Sequence, residues 1–203
     1  MTRLLHALLA LLLLVSVAPR ADAAVTITFW SHEFGNEFPH AFFTLVGTPD
    51  AGGDPVDLNY GFTAKTITPA ILMGTVAGRL DAAKPDYVRR SDAQFAVVLT
   101  DAQYADILAL TREWGEEGDH RYSLNKRNCV HFVQEAARRS GVAVVSFPQL
   151  MKKPRSYLKA VAAANASIVR VIGQPGSTYL ASSSATPVTP DPIRGPASSP
   201  PSR

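Results

Sequence analysis

The sequence predicts an α+β fold, a small antiparallel sheet packed against a helix that begins at Cys129, on three observations. Residues 25–30, Val-Thr-Ile-Thr-Phe-Trp, alternate apolar and polar side chains with the period of two that a half-buried strand needs. The strand-like stretches 41–47 and 56–62 are joined through Thr-Pro-Asp-Ala-Gly-Gly-Asp, whose Pro, Asp and Gly suit a hairpin-like connection. Cys129, Phe132, Val133 and Ala136 recur at i, i+3, i+4 and i+7, so a helix carrying them buries one face.

The chain opens with Met-Thr-Arg, an apolar run from Leu4 to Ala18 broken by His6 and Ser16, and then Ala21-Asp22-Ala23. A positive start, an apolar stretch and an A-x-A site predict a signal peptide over 1–23, cleaved after Ala23, and a periplasmic or secreted protein. The run is shorter than the ~20 residues of a spanning helix; the alternative is an uncleaved anchor. Cleavage removes Arg3, Arg20 and Asp22 and lowers the formal charge from +3 to +2. That weak balance gives no continuous basic stripe, so nucleic acid is not an expected partner.

Further along, Thr68 and Pro69 predict a capped short helix that Gly78 ends. Residues 79–90 are ambiguous, and Pro85 argues against a central strand there. Residues 93–99 read as a buried strand. Thr100 with Gln103 fits a capping box, opening a helix from Asp101 to Trp114 that Gly115 stops. Tyr122 to Leu124 should be extended. Asn128 caps the helix that runs from Cys129 to Ser140, with Gly141 past its end. Residues 142–147 are expected as an edge strand, and 148–165 as one or two helices divided at Pro154. The domain is thus predicted over 24–165. The remainder, 166–203, is expected to be a disordered tail, because from Gly173 onward Pro, Ser, Gly and Thr dominate and bury too little apolar surface to offset ordering entropy.

Cys129 is the only cysteine, so no internal disulfide can form. A thiol in the first turn of a helix faces unpaired backbone N–H groups and the positive end of the dipole. Both favour thiolate, and the same N–H groups can stabilise an oxyanion. The alternative is an inert core cysteine. A base is sought among the histidines. His6 leaves with the leader, His120 lies in a charged loop, and His131 points to another face of the cysteine helix. His40, at the start of the strand-like run 41–47, is the preferred base, held by a rigid element. An imidazole needs an orienting group, and the neighbouring strand offers Asn59, with Asp57 as the alternative. His32, Glu33, Glu37 and His40 invite a zinc reading, but their spacing fits no standard site, and neither metal nor cofactor is expected.

The hexapeptide Asn-Cys-Val-His-Phe-Val at 128–133 resembles the nucleophile motif of lecithin retinol acyltransferase-like proteins and is similar to that of circularly permuted, NlpC-type papain-like proteins of bacteria. In those families the histidine strand precedes the cysteine helix, the order seen here. The resemblance implies a permuted papain-like fold with Cys129 as nucleophile, His40 as base and a polar residue on the next strand, mapped to Asn59, as the third member. The family's acidic residue after the cysteine is Val130 here. The expected activity is an exported thiol hydrolase that cleaves amide or peptide bonds, with cell-wall peptides the natural substrate; Tyr122 and Asn125 are assigned to the oxyanion or substrate. A lipid acyltransferase or esterase is the second reading, since Phe-Pro-His-Ala-Phe-Phe at 38–43 could line an apolar entrance. A noncatalytic envelope module with a structural cysteine is the third.

Overall fold

The computed structural model describes residues 24–33 and 38–183, so the expected signal peptide and the distal tail lie outside the described residues. Seven strands form one antiparallel sheet: β1 (Thr26–His32), β2 (His40–Gly47), β3 (Val56–Ala64), β4 (Thr75–Asp81), β5 (Asp92–Val98), β6 (Arg121–Ser123) and β7 (Arg170–Pro175), in the order β6-β4-β3-β2-β1-β5-β7. With six helices around it among the described residues, the fold is α+β, and its sheet is larger than the small one expected.

Alternation assigns each strand residue to a face. Phe29 pairs with Phe43 and Phe95 on one face, where they join Ile27 and Leu45 in the main core. Trp30 pairs with Phe42 and Ala93 on the other. Helix α3 (Asp101–Trp114), α4 (Cys129–Arg139) and α5 (Pro154–Ala164) belong to the main core side. Phe132 of α4 stacks on Phe43 at 5.4 Å between centroids and is fully buried, worth about 2 kcal/mol of transfer energy. Arg139 of α4 ties α3 down through Glu113 at 2.6 Å. The opposite face is covered in part by α2 (Pro85–Arg90) and α6 (Gly176–Ser183), whose Val88 and Tyr179 pack with Trp30 and Phe42.

The capping box of α3 forms as the Thr100 and Gln103 spacing predicts. Three expectations are corrected. The helix opened by Thr68 and Pro69 is only one turn, α1 (Ala70–Met73), and Gly78 does not end it. Gly78 lies within β4, where a Cβ would press into the ring of Phe62. Residues 142–147 add no strand; Tyr157 and Gln134 take the carbonyl of Val145 with side-chain donors instead. The first part of the expected tail is ordered, since 170–183 form β7 and α6. β7 completes its hydrogen bonding on β5, and Tyr179 is buried against Trp30 at 5.6 Å between centroids. Composition alone misses this, because one well-placed aromatic and a strand partner anchor an otherwise polar stretch.

Candidate active site

Cys129 is placed by its cap. The Asn128 side chain accepts the backbone N–H of Val130 at 2.8 Å and of His131 at 3.1 Å, and donates to the carbonyls of Leu124 and Met151. Asn128 is 1 % exposed, so all four bonds are made away from water. This starts α4 at Cys129 and sets the helix N-terminus against the beginning of β2. The backbone amides of Ala41, Val130 and Cys129 itself favour the thiolate. Burial outweighs them and pushes the thiol up to about 11.

His40 opens β2 opposite His32. Its partly buried imidazole leaves on the Phe42 face, 6.1 Å from that ring between centroids, with Nε2 pressed against Gly61 of β3. Burial pushes the imidazole down to about 4; the carboxylate of Asp81 opposes this, and His32 adds slightly to it. Asp81 is paired with Gly61 across β3 and β4 and bridges Arg79 at 2.8 Å. The thiol and the imidazole are therefore neutral partners at pH 7, and no hydrogen bond joins them.

Two concavities meet here. A groove of about 1090 Å³ contains His40, Phe42, Asp81 and Tyr87 in its walls. A pocket of about 210 Å³ contains Cys129, Asn128 and Lys152. Phe38, Pro39 and Tyr122 line both, so the wall between thiol and imidazole is made by the segment entering β2 and by β6.

The sequence-assigned residues separate into those the fold gathers and those it does not. Cys129 and His40 meet at one end of β2: the thiol lies at the Ala41 amide on the helical side, while the imidazole leaves from the other. Tyr122 lies at the thiol, and its hydroxyl pKa is raised by burial and by Cys129. Asn125 is exposed and lines neither concavity. Asn59 does not hold the imidazole. Its amide donates to the Ala83 carbonyl at 3.3 Å and accepts the Ala83 N–H, which fixes the loop after β4. Asp57 is exposed and pairs with Val46, far down the strand from His40.

The other histidines have structural duties. His32 hydrogen-bonds Ser91 at 3.2 Å and stacks on Tyr87, and His131 closes the capping box on Asn128. Among the described residues no group of three or more His, Cys, Asp or Glu could hold a metal ion; Glu37 lies outside them. Asp81 is the residue sequence reasoning missed. Its signal was weak, because β4 itself was not recognised, and only the β3–β4 register brings Asp81 beside Gly61. No family model, curated protein or solved structure matches the chain.

Proposed function

We propose that the chain is an exported thiol hydrolase that cleaves amide or peptide bonds through a Cys129 acyl-enzyme, with His40 as base and a permuted papain-like arrangement of helix and sheet. The observation that carries this reading is that the start of α4 lies at the start of β2: the Ala41 amide, next to His40, favours the Cys129 thiolate, and the Cys129 pocket shares Phe38, Pro39 and Tyr122 with the His40 groove. The backbone amides that favour the thiolate, those of Ala41, Val130 and Cys129, are groups that would also favour an oxyanion formed beside the sulfur. Apo geometry often loosens a catalytic hydrogen bond that substrate tightens.

The neutral pair dictates the order of events. A thiol near 11 supplies almost no thiolate at pH 7, and an imidazole near 4 is unprotonated but weakly basic, so proton transfer must accompany formation of the C–S bond and cannot precede it. His40 takes the Sγ proton as the C–S bond forms, leaving the carbonyl oxygen as an oxyanion. Collapse breaks the C–N bond, and the imidazolium gives its proton to the departing amine. Water then attacks the thioester with His40 again as base, which releases the acid and restores the thiol. Nε2 rests against Gly61, and the Asp81 carboxylate favours the charged imidazole; proton transfer from Sγ therefore requires the imidazole to turn toward the thiol when substrate binds. Cell-wall peptides are the substrate class suggested by the resemblance of the 128–133 motif and by the expected export.

A noncatalytic binding module is the second reading, favoured by the burial of Cys129 at 5 % exposure and its raised pKa. The test is intact-mass analysis of the wild type, Cys129→Ser and His40→Ala after mixing with a peptide thioester panel, alongside release of amines from peptidoglycan peptides. The hydrolase reading expects an acyl adduct on Cys129 and turnover that both variants lose. Absence of adduct and turnover in the wild type, with a folded chain, leaves the binding module.

A further inference from the structure

The loop between β3 and β4 carries an apolar surface at the rim of the His40 groove, whose wall includes its Ile67 and Ile71. Ile71 of α1 is buried at 5 % exposure and pins the loop to the main core. Its neighbours are turned out: Leu72 is 72 % exposed, Met73 89 % and Ile67 58 %. Large apolar side chains clustered this way at the tip of an anchored loop mark an interaction surface.

The charges around the tip select its partner. Lys65 lies in the same loop, Lys126 in the turn after β6, which is held to β4 through Ser123 and Thr75, Lys84 in the groove wall and Lys152 beside Cys129. None of these four lysines has an ion pair among the described residues. The neighbouring carboxylates Asp81, Asp86 and Asp119 are matched to Arg79, Arg89 and Arg127. An apolar tip with Lys65 in its own loop and Lys126 in the turn held beside it through Thr75, neither in an ion pair among the described residues, complements an anionic interface whose interior is hydrocarbon.

We propose that the β3–β4 loop docks the protein on an anionic lipid bilayer, with Ile67, Leu72 and Met73 entering the acyl boundary, the lysines at the headgroups and the His40 groove at the membrane surface. No helix among the described residues is long and apolar enough to cross a membrane, so this is attachment by a loop tip.

The test uses the full chain with Met73→Trp as a reporter, mixed with vesicles of phosphatidylcholine alone or with one third phosphatidylglycerol, and with brominated acyl chains for depth. The expected result is a blue shift and quenching of the new indole on anionic vesicles, at least tenfold weaker on neutral ones and weakened by salt. Cosedimentation of Leu72→Asp/Met73→Asp should fall at least tenfold, with an unchanged far-ultraviolet circular dichroism spectrum. A reporter that stays water-exposed while the chain still cosediments assigns binding to another segment and overturns the proposal. So does a lipid-independent blue shift that follows dimerisation in analytical ultracentrifugation, which would make the occupant a second copy.

Discussion

His40 and Gly61 are in contact across β2 and β3: Nε2 lies so near Gly61 that an added Cβ would collide with it. The glycine is needed for that close approach and not for its backbone angles. Gly61→Ala should displace the imidazole, because the end of a side chain yields more readily than a paired strand. We expect turnover to fall by roughly 10²-fold for a misplaced base, with stability changed by about 1 kcal/mol or less. Steady-state kinetics beside urea unfolding checks both; equal activity would place the working nitrogen elsewhere.

Asp81 is the carboxylate that favours the charged form of His40. Asp81→Asn should push the imidazole lower still and cut turnover by about 10-fold to 100-fold, as loss of an orienting partner does. Its half-exposed ion pair with Arg79 contributes at most about 1 kcal/mol, so the melting temperature should hardly move. Asn59→Ala is the contrast: it releases the Ala83 loop, and its effect should appear in stability before it appears in the pH profile. Histidine titration by NMR in both variants separates the two roles.

The lowered pKa of His40 makes stability depend on pH in one direction. The unfolded chain takes up a proton near 6.5, while the folded one refuses it until about 4. The stability this contributes is present above 6.5 and is lost as the pH falls toward 4. His40→Gln should remove that component, on the order of 2 kcal/mol between pH 7 and 4.5. Denaturant midpoints at the two pH values measure it, and an unchanged difference would show that the imidazole is hydrated.

Cys129 should alkylate slowly in the folded protein. With the thiol near 11, the thiolate fraction at pH 8 is about 100-fold below that of a free thiol. Iodoacetamide labelling should therefore climb until pH 11 in the native state and accelerate at pH 8 on unfolding. Fast native labelling at pH 8 would contradict the burial that sets this value.

Asn128→Ala should cost about 2 kcal/mol or more, because it removes an N-cap and strands the carbonyls of Leu124 and Met151. The damage should concentrate where α4 begins, read as faster amide exchange at Val130 and His131. Protection equal to the wild type at those two amides would mean that water replaces the cap.

Local chemistry in the sequence determined much of this molecule. The alternation of 25–30, the Thr100 and Gln103 box and the Asn128 cap each satisfy backbone groups within a few residues, so they are legible without a fold. Hence β1, α3 and the start of α4 lie where their residues predict them. The meeting of Cys129 with the end of β2 was legible only through the motif at 128–133, since no spacing in one chain encodes contact between distant elements. What tertiary structure alone decided is the environment. β4 exists because β3 and β6 pair with it, and its Gly78 makes room for Phe62. The β3–β4 register puts Asp81 beside His40, while Asn59 is spent on Ala83. Burial reverses the expected acidity of Cys129, because a helix N-terminus favours thiolate only as far as desolvation permits.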